Sequence, residues 1–309
     1  MECFHFNLPQ VMFDLLYIHW NVDPVIFYIG KLSIRWYSLL FVSGFIYGWF
    51  IFRHFYRREG VDESYLDPLL YAVLIGTIVG ARLGHCLFYD FNYYFGSWEG
   101  FAEVFMPWKG GLASHGGAVG VILAAFWYAG KYGKKNGFDA LWVMDRLVIV
   151  TAFAGACIRI GNFFNSEIYG VVTDLPWGVI FERRGETLPK HPVQLYEAIT
   201  YIILGIVLVW LYNKKLDKMY RGEFLGIFLI GCFGLRSLLE FIKDSKVTEV
   251  FGVTMKEGQF LSIPFIIAGI LLIIFAYKNK VPARAIPPKV EKKPKEATHY
   301  ARPINKDNK

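Results

Sequence analysis

Seven stretches of about 20 mostly apolar residues follow one another along the chain, each long enough to cross a bilayer as a helix. Only 19% of the 309 residues are charged, whereas soluble globular proteins carry about 25%. The sequence therefore predicts an all-α polytopic membrane protein with seven transmembrane helices, at residues 32–52, 66–89, 112–130, 139–160, 194–212, 222–242 and 259–277.

The same composition excludes several other classes of protein. A chain with 55% hydrophobic residues is too apolar for intrinsic disorder, and four cysteines are too few for a disulfide scaffold. Cys86, Cys157 and Cys232 fall within the apolar stretches, where a free thiol behaves as a small apolar side chain. No His and Cys spacing resembles a metal site, so we expect neither a metal nor another cofactor.

Basic residues in alternate connections predict the orientation, because cytoplasmic loops are rich in Lys and Arg. The 90–111 connection is acidic and holds only one Lys, Lys109. We therefore expect the N-terminus outside and the C-terminus in the cytoplasm. The basic residues follow the first, third, fifth and last spans; they are Arg53, Arg57, Arg58, Lys131, Lys134, Lys135, Lys214, Lys215, Lys218, Arg221, Lys289, Lys292, Lys293 and Lys295.

These assignments divide the chain into three parts. We expect residues 1–31 to form an extracytoplasmic or interfacial segment. Residues 32–277 should form a seven-span catalytic domain, with a small extracytoplasmic loop at about 161–193, between spans four and five. Residues 278–309 predict a basic, disordered cytoplasmic tail. The net charge of +7 lies largely in the inside loops and the tail, where it faces anionic membrane lipids, so we expect no nucleic-acid partner.

Polar side chains within the spans indicate function, since an Arg at the centre of a span costs about 2.5–3.5 kcal/mol on insertion scales. We interpret them as the lining of one polar cavity that opens toward the outer leaflet. Guanidinium groups bind phosphate through paired hydrogen bonds, so the cavity suits an anionic lipid. Five helices contribute these groups: Arg82; His115; Arg159 and Asn162; His191, Gln194, Tyr196 and Glu197; Arg236 and Glu240.

Several polar groups within the spans also have a structural explanation, whereas Arg82, Arg159 and Arg236 are harder to explain in this way. The glycines beside His115 allow either close approach of a ligand or tight helix packing. Glu240 could do no more than neutralise Arg236 at i, i+4 spacing. Arg146 could pair with its neighbour Asp145 or extend to the membrane surface.

Four sequence blocks carry a resemblance to a known family. RIGNFFNSEIYG, at 159–170, fits the pattern R-x-G-N-F-x-N-x-E-x-x-G at each defined position, and SHGGAVGV, HPVQLYE and LRSLLEF match in order. On these blocks the chain resembles the prolipoprotein diacylglyceryl transferase family, from IRWYSLLF to GQFLSIPFIIAGI. The resemblance leaves out the basic tail.

The resemblance implies a transferase of the bacterial cytoplasmic (inner) membrane. Such enzymes move the diacylglyceryl group of phosphatidylglycerol onto the lipobox cysteine thiol of a prolipoprotein signal peptide. A thioether forms and glycerol-1-phosphate leaves, in the first step of lipoprotein maturation. The family's motif residues fall on Tyr37, His115, Arg159, Asn162, Glu167, Gly170, Arg236 and Glu240.

The chemistry suggests a role for each group. We predict His115 as general base, because imidazole titrates near neutral pH; alternatively, Arg159 activates the thiol by lowering its pKa. Arg159 and Arg236 would stabilise the leaving phosphate, and Tyr37 and Glu240 are the other catalytic candidates. The predicted phosphatidylglycerol site contains Arg159, Asn162, Glu167, Gly170, Arg82 and Lys243; secondary candidates are His191, Gln194, Tyr196 and Glu197.

Three positions depart from the family pattern. Ile158 and Ser166 stand where many members have Gly, and Lys243 stands where we expect Arg. A Lys attracts phosphate as a point charge but lacks the planar fork of a guanidinium group.

Two functions from other classes remain open. A transferase acting on a polyprenyl-phosphate sugar would also need an outer-leaflet phosphate site, but the acidic residues of the 161–193 loop form no recognisable motif. An anion or lipid transporter would also carry Arg within its spans, yet we would expect internal repeats or broken helices.

Overall fold

The computed structural model describes residues 17–285, except for residues 31, 246, 251 and 252. The first 16 residues of the predicted N-terminal segment and the predicted tail beyond residue 285 lie outside this part. Ten α-helices occupy most of the described chain: α1 (Trp36–Glu59), α2 (Leu66–Phe88), α3 (Phe91–Gly96), α4 (Trp98–Val104), α5 (Ser114–Tyr128), α6 (Lys134–Asn136), α7 (Ala140–Phe164), α8 (Val193–Lys215), α9 (Glu223–Leu239) and α10 (Glu257–Asn279).

The prediction of a mostly helical, multi-pass membrane protein is confirmed. Within the described residues, six helical ranges are long and apolar enough to cross a membrane. They contain α1, α2, α7, α8, α9 and α10 and agree with six of the seven predicted spans. Their bounds are Trp36–Glu59, Glu63–Phe88, Ala140–Phe164, Val193–Lys218, Glu223–Ile242 and Glu257–Asn279.

The predicted third span, 112–130, differs from the other six. Its α-helix, α5, has 15 residues, which rise about 22 Å, less than the ~30 Å of a hydrocarbon core. A π-helical turn, Ala129–Gly133, and then α6 continue the helical path to Asn136. A Cβ atom on Gly116 would lie 2.2 Å from the carbonyl oxygen of Gly80, so this glycine permits close packing of α5 on α2.

In the described part of the chain, three two-stranded sheets lie among the connections; they were not predicted. Strand β1 (Ile18–Trp20) pairs in parallel with β4 (Val179–Phe181), with Ile18 opposite Val179. The N-terminal segment is therefore joined to the loop between α7 and α8. The other two sheets are antiparallel: β2 (Val25–Ile29) with β3 (Leu32–Arg35), and β5 (Val247–Val250) with β6 (Val253–Lys256).

The main hydrophobic core lies at one end of the bundle. It joins the last turns of α1, α5 and α8 to the first turns of α7 and α9, with Trp142 and Leu208 fully enclosed. Arg146 belongs to this end and pairs with Glu59, not with its neighbour Asp145. Asp145 instead accepts hydrogen bonds from the backbone nitrogens of Gly222 and Leu225 and so holds the start of α9.

Candidate active site

An ion pair between α7 and α8 stands at the centre of the polar side chains. The Nε atom of Arg159 lies 2.8 Å from Oε2 of Glu197, whose side chain is only 1% exposed. Neither carboxylate oxygen of Glu197 accepts an aligned hydrogen bond from the described residues. The two side chains therefore interact through charge, at the end of the bundle opposite the hydrophobic core.

Lys243 brings a second cation to the same carboxylate. Its Nζ atom lies 3.5 Å from Oε1 of Glu197 and 3.9 Å from Oε2 of Glu240, and the residue is buried. Burial lowers the pKa of the Lys243 ammonium; Glu197 opposes this shift, and Arg159 adds to it. The backbone of Lys243 forms a β-bridge with Gly170, which anchors the α7–α8 loop beside the site.

Hydrogen bonds extend from Arg159 into the α7–α8 loop. Its Nη1 atom donates to Oδ1 of Asn162 at 3.2 Å, and Nδ2 of Asn162 donates to Oε1 of Glu167 at 2.7 Å. Asn165 donates to the same Glu167 oxygen at 3.1 Å, and Gln194 donates to the Glu167 carbonyl at 2.7 Å. The loop motif and the start of α8 therefore hold the Glu167 carboxylate in one position.

Tyr37 and Arg236 complete this group. The Tyr37 ring packs against Gly161, and its hydroxyl interacts electrostatically with Glu167 and Arg159. Arg236 is half-buried, and its side chain forms no hydrogen bond or ion pair within the described part of the chain. We call these side chains the Arg159 cluster: Tyr37, Arg159, Asn162, Glu167, Gln194, Glu197, Arg236, Glu240 and Lys243.

Sequence reasoning missed three residues of this region. The hydroxyl of Tyr201 interacts with the Arg159 guanidinium and with the Cys232 thiol. Gly258 on α10 packs against Glu240: a Cβ atom there would lie 2.3 Å from the carboxylate. Tyr201, Cys232 and Gly258 all fit an apolar span, so only the packing of α8, α9 and α10 identifies them.

Arg82 is not part of the Arg159 cluster. It is 4% exposed, and its guanidinium donates to the backbone oxygens of Val104 at 3.1 Å and Gly110 at 2.6 Å. It also donates to the carbonyls of Glu103 and Gly111. These carbonyls occupy its donors, so the geometry assigns Arg82 to holding the last turn of α4 and the α4–α5 connection rather than to binding phosphate.

In the described part of the chain, no hydrogen bond or ion pair joins His115 to the cluster. His115 is exposed at the start of α5 and lines an open apolar groove of about 1140 Å³ between α2 and α5, with Leu87 and Val119. Its role as general base stays a prediction without a supporting contact.

Two of the secondary candidates form a separate group at the start of α8. Nδ1 of His191 lies 3.4 Å from the Tyr196 hydroxyl, which accepts a hydrogen bond from Trp177 at 2.8 Å. The His191 carbonyl accepts from the backbone nitrogen of Gly170 at 2.8 Å. No group of three or more His, Cys, Asp or Glu side chains in the described ranges could hold a metal ion.

Comparisons with known proteins agree with the motif blocks. The family model for prolipoprotein diacylglyceryl transferase matches residues 24–275. A relative from Tolumonas auensis is 43% identical over 263 residues, which cover 85% of this chain and 99% of the relative. A relative from Bacteroides fragilis is 41% identical over 275 residues, which cover 86% of this chain and 98% of the relative. One from Porphyromonas gingivalis is 43% identical over 281 residues, which cover 86% of this chain and 96% of the relative.

All three relatives are named phosphatidylglycerol–prolipoprotein diacylglyceryl transferase. The range that the family model matches includes every residue of the Arg159 cluster. The chain belongs to the prolipoprotein diacylglyceryl transferase family.

Proposed function

We propose that the chain transfers the diacylglyceryl group of phosphatidylglycerol to the lipobox cysteine of a prolipoprotein, forming a thioether and releasing glycerol-1-phosphate. The relatives' names support the two substrates. One structural observation carries the proposal: Arg236, Arg159 and Lys243 come together from three segments at the end of the bundle opposite the core.

Arg236 is the main phosphate ligand in this proposal. It is the one cation of the cluster without an ion-pair or hydrogen-bond partner among the described residues, so its planar fork is free for two phosphate oxygens. Arg159 and Lys243 add positive charge, although Glu197 partly neutralises both. The three cations stabilise the negative charge that develops on the leaving phosphate monoester.

Glu167 and Asn162 position the rest of the lipid headgroup. Oε1 of Glu167 is occupied by two amide donors, which leaves Oε2 to accept from a glycerol hydroxyl. Tyr37 stands beside both Glu167 and Arg159. The positive field of the three cations also lowers the pKa of an incoming thiol and so raises the thiolate fraction.

The membrane placement follows from the charge pattern. Arg58 and Asn213, at the ends of α1 and α8, hydrogen-bond at 2.6 Å at the core end of the bundle, where Lys214 and Lys215 also lie. We propose that this end lies in the cytoplasm, as the positive-inside rule predicts, and that the Arg159 cluster lies toward the outer leaflet of a bacterial inner membrane. We further propose that α5, continued by its π-helical turn, is a seventh span.

The test uses purified protein, phosphatidylglycerol and a lipobox peptide. Mass spectrometry should detect the diacylglyceryl adduct on the peptide, together with free glycerol-1-phosphate. A peptide with Cys replaced by Ser should gain no adduct. Absence of both products with the Cys peptide would contradict the proposal; release of a sugar from a polyprenyl-phosphate donor would favour the other transferase class.

Arg236→Gln tests the assigned phosphate ligand. Because the Arg236 side chain has no hydrogen-bond or ion-pair partner among the described residues, this variant should fold normally and lose about 10²–10³-fold in kcat. Arg184→Gln is the matched control, since Arg184 donates to the carbonyl of Ser166 at 2.9 Å and lies outside the cluster. Full activity of the Arg236→Gln variant would show that Arg236 does not bind the phosphate.

A further inference from the structure

The proposed reaction must move one proton. The thiol of the lipobox cysteine loses it, and the departing phosphate monoester is able to take it up. In an in-line displacement the sulfur and the departing phosphate lie on opposite sides of the carbon, so a side chain beside the sulfur must first accept the proton. This requirement rests on the proposed function, and three carboxylates of the Arg159 cluster could meet it.

The three carboxylates of the Arg159 cluster differ in how well they are paired. Glu167 accepts two amide hydrogen bonds, at 2.7 and 3.1 Å. Neither oxygen of Glu197 accepts an aligned hydrogen bond from the described residues, but this carboxylate lies 2.8 Å from one cation and 3.5 Å from another. Glu240 has only the Lys243 ammonium, at 3.9 Å, and its buried Oε2 accepts no hydrogen bond from the described residues.

A buried carboxylate oxygen without a partner costs free energy, so its presence calls for an explanation. Glu240 is 3% exposed, and Gly258 of α10 lies directly behind its carboxylate. The close packing leaves the carboxylate little room to turn away. The fold therefore fixes the position of a carboxylate oxygen that accepts no hydrogen bond from the described residues, at the end of α9.

The position of Glu240 relative to Arg236 fits a displacement at carbon. The two residues are four apart in the region where α9 passes into a 3-10 turn, so their Cβ atoms are about 6 Å from each other. In the reaction the sulfur approaches the glycerol carbon from one side as the phosphate oxygen leaves from the other. One helix end can thus present a phosphate ligand and a proton acceptor to opposite sides of one carbon.

We infer that Glu240 is the proton acceptor for the lipobox thiol. The Sγ–H proton passes to the Glu240 carboxylate while the S–C bond to the diacylglyceryl carbon forms and the C–O bond to phosphate breaks. The electron pair of the C–O bond leaves with glycerol-1-phosphate, which then takes the proton from Glu240. Atoms and charges balance without any further reactant.

His115 is the competing acceptor. It lies on the exposed side of α5, in the groove with Leu87 and Val119, whereas Glu240 lies 3.9 Å from a cation of the cluster. The geometry therefore favours Glu240, and the experiment compares the two residues directly.

The test replaces each acceptor and varies the acidity of the nucleophile. Glu240→Gln keeps the shape of the side chain against Gly258 but cannot accept the proton. With a cysteine peptide it should lose about 10²–10⁴-fold in kcat, with the KM for phosphatidylglycerol unchanged. With a selenocysteine peptide, whose selenol is ionised at neutral pH, the loss should fall to about tenfold or less.

Two further variants separate this role from a structural one. Glu197→Gln weakens the ion pairs with Arg159 and Lys243, so its loss in kcat should be the same for both peptides. For His115→Asn, any loss in kcat should be the same with the selenocysteine peptide as with the cysteine peptide. The inference is wrong if Glu240→Gln keeps full activity or loses the same factor in kcat with both peptides. It is also wrong if only His115→Asn recovers kcat with the selenocysteine peptide. If the wild-type protein modifies neither peptide, the proposed function itself fails.

Discussion

The Nη2 atom of Arg146 lies 2.7 Å from one carboxylate oxygen of Glu59 and 2.8 Å from the other, and neither side chain is exposed. Tyr212 and Trp142 donate to the same carboxylate, and Arg146 donates to the carbonyl of Ala283. A buried ion pair of this kind is stable only because each remaining oxygen and N–H has a partner.

Removing one member of this pair should therefore destabilise the protein strongly. Glu59→Leu leaves a buried guanidinium without a counter-charge, and we expect a loss of about 3–5 kcal/mol in the free energy of unfolding. The double variant Glu59→Leu/Arg146→Met should lose less than Glu59→Leu alone. Thermal unfolding in detergent measures both, and a double variant less stable than either single one would contradict the explanation.

A second prediction concerns Ser166, which adopts a positive φ of 52°. This left-handed conformation disfavours side chains with a Cβ atom, and the buried Ser166 hydroxyl has no hydrogen-bond partner among the described residues. Ser166→Gly removes both costs and should stabilise the protein by about 1 kcal/mol. Ser166→Ala removes only the hydroxyl, so a Tm no lower than that of Ser166→Gly would show that backbone strain is unimportant here.

The Ser166 finding also illustrates what the sequence can and cannot predict. The sequence shows that Ser166 stands where many family members have Gly. It does not show the positive φ of this residue, which makes the substitution costly and which depends on the fold of the loop. Likewise, hydropathy predicts six of the spans, because length and apolar content are local properties. The pairing of β1 with β4 is not local: it joins segments about 160 residues apart, and no pattern in either segment indicates the other.

The site was predictable to a similar degree. Arg159, Asn162 and Glu167 fall within one motif, and the structure joins them by hydrogen bonds. Arg82 has the same charge and a similar depth in its span, yet four backbone carbonyls take up its donors. Residue type and depth do not distinguish a ligand-binding Arg from one that holds a loop; only its partners do.

Arg82→Lys tests the structural role of Arg82. A single ammonium cannot reach the carbonyls of Glu103, Val104 and Gly110 together, so the α4–α5 connection should become sensitive to limited proteolysis. The loss in the free energy of unfolding should be about 1–3 kcal/mol. Lys109→Met removes only an exposed ion pair with Glu103 and should leave the cleavage pattern unchanged. An Arg82→Lys loop as resistant as the wild type would return Arg82 to the phosphate-binding candidates.

Gly258→Ala should reduce activity by moving Glu240. The added Cβ would stand 2.3 Å from the carboxylate, which real contacts do not allow, so the side chain must shift. We expect about a 10²-fold loss in kcat, as for a misplaced reacting group. Gly234→Ala is the control, because nothing lies within 4 Å of a Cβ at that position on α9. Equal kcat values for the two variants would mean that the Glu240 position is not critical.

The pH dependence of phosphatidylglycerol binding should reveal Lys243. Burial lowers the pKa of its ammonium below the ordinary 10.5, so the charge is lost at a lower pH than for an exposed Lys. Above that folded-state pKa the site has one positive charge fewer, and the KM for the anionic lipid should rise. Lys243→Arg keeps its charge throughout this range, because guanidinium groups do not lose their proton in proteins. The KM of this variant should therefore stay flat with rising pH, measured by initial rates of peptide modification. A wild-type KM that is equally flat up to pH 10.5 would show that the Lys243 charge does not contribute to lipid binding.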